Sequence, residues 1–145
     1  MRIAFKKTFW KWGVSPLGIL ILLRTLSNYN HCELIFSDGM SFSAGKGRDD
    51  GNEVGFKKIG YSHPERWDFL DVKITKKQEK QIRLNAEKIH NDNDGYDFLG
   101  ILFNELIPLD IENKRKYYCS EVIAVLLGLR FSTITPQDLY NYYGG

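Results

Sequence analysis

Apolar and polar positions alternate with a period of two in several runs of the first half of the chain, and from Thr75 onward apolar residues return every three or four positions. The first regime predicts strands. Residues 2–9 form a candidate first strand, and Trp10 to Pro16 reads as a turn region. Leu17 to Thr25 is a continuous apolar run that fits a buried strand or a short helix, and is core either way. After polar, turn-prone Ser27 to Asn30 come two strand-like runs, His31 to Phe36 and Met40 to Ala44. Asp38-Gly39 between them is a strong hairpin signal. Alternation puts His31, Glu33 and Ile35 on one face of the first run and Cys32, Leu34 and Phe36 on the other. Gly45 to Asn52 is a loop, Glu53 to Ile59 a further strand, and Tyr61 to Glu65 a turn. Arg66 to Ile74 is a last strand with Trp67, Phe69 and Asp71 on one side. The expectation is an antiparallel meander.

The second regime predicts helices. Thr75-Lys76-Lys77-Gln78 has the form of a capping box, and Ile82, Ala86 and Ile89 make one apolar face, with Asn91 to Gly95 ending that helix. Tyr96 to Phe103 begins a second helix that ends before Pro108. A third carries Cys119 in its first turn, a stripe of Val122, Val125, Leu126 and Leu129, and Gly128 near its end. Thr135-Pro136 is an N-cap followed by proline at the first helical position. It opens a short fourth helix, with Tyr140, Tyr142, Tyr143 and the terminal glycines as a tail. The fold class is α+β: a single domain over residues 1–145, strands first, then helices packed on the sheet.

Composition narrows the function classes. With 43% hydrophobic and 26% charged residues in a chain of 145, a folded core is expected. The net charge of +2 is too small for a nucleic-acid footprint, because acidic residues are interspersed among the basic clusters. Two cysteines, Cys32 and Cys119, make neither a disulfide framework nor a zinc knuckle, and reduced thiols in a cytoplasmic protein are the expectation. The apolar run Leu17 to Leu23 is too short to span a bilayer. Arg2, Lys6, Lys7 and Lys11 ahead of it imitate a signal peptide, but Trp10, Trp12 and Pro16 interrupt that pattern.

Cys119 is the residue with chemical potential. Unpaired N–H groups and the positive dipole end of a helix favour a thiolate, although most free cysteines simply pack. A cysteine nucleophile needs a histidine within hydrogen-bond reach and a third group to orient the ring. Of three histidines, His90 ends a charged helix, as a C-terminal cap or facing solvent, and His63 lies in a turn before Pro64. His31 starts a strand whose other face is apolar. Glu33, two residues on and on the same face, would have its Cβ roughly 6–7 Å from that of His31. Cys32 points to the opposite face and packs in the core.

Several short motifs carry a resemblance: Tyr29-Asn30-His31-Cys32-Glu33-Leu34-Ile35-Phe36 with Asp38-Gly39 and Phe42-Ser43-Ala44, then Tyr96-Asp97, Tyr118-Cys119-Ser120-Glu121 and Thr135-Pro136-Gln137-Asp138-Leu139. In this order they resemble the circularly permuted NlpC-type hydrolases, papain-like thiol enzymes that include the YiiX-like group and, more distantly, lecithin retinol acyltransferase relatives. Small phage-encoded proteins of unassigned function are also similar, chiefly in the His-x-Glu strand and the Arg66-Trp67 segment. The resemblance covers about Leu17 to Leu139. It implies Cys119 as nucleophile and His31 as general base and then acid. Its third, polar member lands on Ser41 or Ser43. Glu33 orients a charged ring better than serine, so Glu33 is the expected third member and Ser43 the alternative. The Cys119 N–H is the expected oxyanion donor with Tyr96 as a candidate hydroxyl, while Asp97 caps its helix.

The expected activity is a peptidase, amidase or deacylase working through an acyl-cysteine, with acyl transfer as a variant. Its substrate is a peptide, amide or acyl compound, with no cofactor, metal, nucleic acid or transmembrane segment. The expected location is the cytoplasm, that of the host if the chain is phage-encoded. A non-catalytic binding protein on the same scaffold is the competing reading, with Trp10, Trp12 and the Tyr140–Tyr143 tail as its surface. Metal binding through His31, Glu33 and Cys119 has no support from ligand spacing.

Overall fold

The computed structural model describes residues 1–7, 28–44, 54–91, 119–129 and 134–145. The following expectations lie outside those residues: the Trp10–Pro16 turn, the Leu17–Thr25 run, the Gly45–Asn52 loop, and the Tyr96–Phe103 helix with Tyr96 and Asp97. The described residues form five strands: β1 (Arg2–Lys7), β2 (Tyr29–Ile35), β3 (Met40–Ala44), β4 (Val54–Lys58) and β5 (Trp67–Asp71). Three helices follow: α1 (Lys76–Asn91), α2 (Cys119–Leu126) and α3 (Pro136–Gly144). The architecture is α+β.

All pairings are antiparallel and the strand order is β4-β3-β2-β1-β5. The expected meander therefore holds for β1 to β4 and fails at β5. That strand pairs with β1 at the far edge, setting Lys6 opposite Trp67, Ala4 opposite Phe69 and Arg2 opposite Asp71. The connection of residues 59–66 must cross four strand spacings, about 19 Å, which eight residues of reach about 27 Å can do. Tyr61 lies against Trp67 and Phe69, with ring centroids 4.7 and 5.4 Å apart. The crossing thus passes over the face that carries His31, Glu33, Trp67 and Phe69, called here the outer face.

The opposite, inner face carries Ile3, Phe5, Cys32, Leu34, Phe42 and Ala44, and packs on Ile82, Ala86 and Ile89 of α1, Val122 to Leu126 of α2, and Leu139 of α3. Register explains this division: a slip of one residue would turn all of these apolar side chains outward. The β2–β3 hairpin turns at Gly39, whose φ of 84° suits glycine. Arg83 of α1 reaches back to that turn, 2.6 Å from Asp38, and its guanidinium lies over the rings of Phe36 and Phe56.

Helix ends follow the sequence closely. At α1 the Gln78 N–H donates to Thr75 Oγ1 at 3.2 Å while Thr75 N–H donates to Gln78 Oε1 at 2.8 Å, the reciprocal capping box. Thr135 and Asp138 repeat that exchange at α3. Helix α3 runs on to Gly144, so the three tyrosines belong to the helix rather than to a tail; Tyr140 and Tyr143 are half-buried against the core and Tyr142 is exposed. Helix α2 departs from a one-sided stripe, since Ile123 and Ala124 are buried as well as Val122, Val125 and Leu126. It is enclosed because it touches β2, β3, α1 and α3.

At the end of α2, Leu129 N–H donates to Ala124 O at 2.9 Å and Gly128 N–H to Val125 O at 3.0 Å, with Gly128 at φ 72°. This is the Schellman arrangement. A Cβ at Gly128 would meet nothing within 4 Å, so only backbone strain opposes substitution. Gly128→Ala is expected to cost about 1 kcal/mol, measured as a lower urea midpoint at unchanged slope.

Candidate active site

Cys119 is the first residue of α2, and α2 packs on β2 and β3. The pairing of those strands leaves a notch for it. Their ladder pairs Ile35 with Ser41 and Leu34 with Phe42 and goes no further among the described residues. Phe36 N–H donates to Met40 O, so alternate β2 residues Leu34 and Cys32 also aim their N–H groups towards β3. Cys32 lies beyond the end of the ladder, and its N–H donates to Cys119 Sγ at 3.3 Å. A backbone donor that would otherwise be orphaned in the core thus holds a sulfur. Ser120 fixes the start of α2 from behind, its hydroxyl donating to the Ile134 carbonyl at 2.6 Å.

The His31 imidazole lies beside the Cys119 side chain, close enough for each to shift the other's protonation, and its Nε2 lies 3.3 Å from Glu33 Oε1. With Nε2 on the carboxylate, Nδ1 is the nitrogen left for the sulfur. Strand spacing brings Glu33 only within reach of the ring; the structure puts the two in contact. Trp67 stands edge-on to the imidazole, centroids 6.2 Å apart. The side chain of His31 keeps 25% of its exposure, so the ring borders solvent while the sulfur beneath it is buried.

Glu33 is 1% exposed and buried among donors. Lys57 Nζ pairs with Oε1, and the Tyr61 hydroxyl donates to Oε2 at 3.1 Å. Sequence reasoning missed both partners. Lys57 sits among charged residues that read as a solvated face, and Tyr61 in a turn. The one usable signal was the period of two, which places Lys57 on the same face as Glu33 once β4 is paired with β3. Ser43, the alternative third member, is buried on β3. Ser41, where the family's third position also falls, donates to Lys57 O at 3.4 Å. Tyr96 lies outside the described residues.

The electrostatics follow from these contacts. Burial disfavours the charged Glu33, but hydrogen bonds from His31 and Lys57 and their positive charges outweigh it, and its carboxyl falls from 4.5 to about 2. Burial also disfavours imidazolium, but hydrogen bonds to Cys119 and Glu33 overcome it and raise His31 from 6.5 to about 9. Cys119 is held well below the ordinary thiol range, first by a hydrogen bond from the Cys32 side chain, against burial, and then by His31 and the Cys32 N–H. Cys32 moves the other way: burial, the Cys119 sulfur and the charge of Glu33 keep it a protonated thiol. Cys32 is a core residue, as expected, but it also touches Cys119. These directions favour a thiolate–imidazolium pair beside a buried carboxylate.

The other histidines do not join it. His63 is exposed, 3.1 Å from Glu65. His90 is half-buried in the last turn of α1: Nδ1 lies 3.2 Å from Val54 O and the ring meets Phe56 edge-on, because α1 packs on β4. Among the described residues no group of three or more His, Cys, Asp and Glu side chains is placed to hold a metal ion. No helix among them is long and apolar enough to cross a membrane. No protein-family model, curated protein or solved structure matches the chain.

Proposed function

We propose that this protein is a cytoplasmic, papain-like thiol hydrolase in permuted order, acting on a peptide, amide or acyl substrate through an acyl-cysteine. One observation carries the reading: the Cys119 sulfur lies between the Cys32 N–H and the His31 imidazole, whose Nε2 rests on buried Glu33. The histidine strand preceding the cysteine helix also fits the permuted order, as does a helix N-terminus set against that strand.

In this reading the Cys119 thiolate attacks the substrate carbonyl carbon, forming a C–S bond while the carbonyl π electrons move to oxygen. The Cys119 N–H, at the start of α2, faces the resulting oxyanion. Collapse expels the amine or alkoxide, which takes its proton from His31 imidazolium. Neutral His31 then accepts a proton from water as the water oxygen attacks the acyl carbon. Breakdown releases the acid and restores thiolate and imidazolium. Glu33 holds Nε2 throughout, which fixes the ring so that Nδ1 serves the sulfur.

Iodoacetamide tests the thiolate directly. An ordinary thiol slows by about two orders of magnitude between pH 8 and pH 6, because its thiolate fraction falls with pH. Cys119 is expected to change by less than about threefold over that range. A rate that follows the ordinary thiol curve would rule the reading out. The competing reading, a non-catalytic binding scaffold, draws on the burial of Cys119, which is 8% exposed. It predicts an unreactive sulfur in the same assay. Of the surface expected for it, Trp10 and Trp12 lie outside the described residues, Tyr140 and Tyr143 pack on the core, and Tyr142 is 57% exposed.

A further inference from the structure

The two cysteines of the chain lie 87 positions apart in sequence and meet at one point in the fold. The Cys32 N–H donates to Cys119 Sγ at 3.3 Å, which sets the two side chains next to each other, and each shifts the other's protonation. Both are free and buried, on elements packed together. Packing alone would be met by alanine or valine at position 32. Neighbouring thiols on elements packed together, one beside an imidazole, are the arrangement from which a disulfide closes by side-chain rotation, to an S–S length of about 2.05 Å.

We infer that Cys32 is a resolving thiol, which converts hydroperoxide-oxidised Cys119 into an intramolecular disulfide and so shields the site sulfur from irreversible oxidation. The inference rests on the Cys119 thiolate of the proposed hydrolase and on none of its acyl chemistry. The co-reactant is a hydroperoxide. The thiolate attacks its terminal oxygen, forming an S–O bond and breaking the O–O bond. Sulfur is oxidised by two electrons, the peroxide is reduced to its alcohol or to water, and His31 imidazolium supplies the proton to the departing oxygen. Neutral His31 then takes the Cys32 thiol proton as the Cys32 sulfur attacks the Cys119 sulfenic acid. An S–S bond forms, the S–O bond breaks, and the departing hydroxide recovers that proton from His31 as water. The sum is two thiols and a hydroperoxide giving a disulfide, an alcohol and water. Without a resolving partner the sulfenic acid proceeds to sulfinic acid, which ordinary thiols do not reverse.

The test is treatment of the reduced full chain with equimolar hydrogen peroxide in the presence of dimedone, followed by peptide mapping. In the parent, the expected result is a linked Cys32–Cys119 peptide, with both thiols restored by dithiothreitol. In Cys32→Ala, the expected result is dimedone-trapped Cys119 and, with excess peroxide, sulfinic acid that dithiothreitol leaves unchanged. A parent whose Cys119 is trapped by dimedone without any linked peptide overturns the inference, and so does a parent whose Cys119 stays unoxidised. The parent alone decides the matter, so it does not depend on the variant folding. The two readings also fail separately. Disulfide formation without labelling by acyl probes defeats the hydrolase and leaves the resolving thiol standing. Acyl labelling without a linked peptide does the reverse.

Discussion

Cys119→Ala is expected to abolish labelling by acyl and peptidyl thiol-reactive probes, and His31→Ala to slow it by about 10²–10⁴-fold at neutral pH. The asymmetry is chemical. Removing the sulfur removes the atom that bonds, whereas removing the imidazole leaves a thiol that the Cys32 N–H still stabilises. The loss in His31→Ala should shrink as pH rises, because hydroxide then does the work of the base. The parent should show the opposite limb. His31 sits near pH 9, so the imidazolium that protonates the leaving group disappears through that value. The check is kcat/KM, or the second-order labelling rate, across pH 5 to 10 for parent and variant. A parent without a basic limb near 9, or a His31→Ala variant equal to the parent at neutral pH, would remove His31 from the mechanism.

Glu33→Gln is expected to flatten the acid limb of the stability curve. The folded carboxyl lies at about 2 against an ordinary 4.5, so its stabilisation is fully present above the ordinary value and is lost as pH falls through about 2. The size is at most about 3 kcal/mol, from 1.36 kcal/mol per pH unit, because Lys57 on the other side of the pair is half exposed. Glutamine keeps a carbonyl acceptor for Tyr61 but offers His31 and Lys57 no charge, so above pH 5 the variant is less stable than the parent. Urea midpoints at pH 6, 4 and 2 read this out: the gap between the chains should close as the parent's carboxylate is protonated. Parallel curves would mean that Glu33 is ionised no more readily in the fold than outside it. At pH 7 the same variant should also label more slowly at Cys119, since imidazolium loses the charge that favours it.

Much of this was legible in the chain because it is local. The hairpin at Asp38-Gly39, the Thr75 and Thr135 caps and the Gly128 end each rest on backbone groups within a few residues. The alternation of β2 separated His31 and Glu33 from Cys32 before any partner was known. What was not legible depends on partners distant in sequence. Lys57 and Tyr61 meet Glu33 because β4 pairs with β3 and the next segment crosses the sheet to β5. His90 meets Val54 and Phe56 because α1 lies on β4, which a helical pattern cannot specify.

For the described residues, the sequence by itself determined the strands and helices, their order and most of the side chains that face the core, since these follow from backbone period and the burial of apolar surface. It also supplied the three residues Cys119, His31 and Glu33 as a set with a chemistry to match. Only the tertiary structure decided that they touch. The Cys119 sulfur is held where the β2–β3 ladder stops, by a backbone N–H from a residue 87 positions away. Where a ladder stops is a property of the packed sheet and the helix set against it. That is also why Cys32, which the alternation made a packing residue on the far face, turned out to touch the sulfur as well.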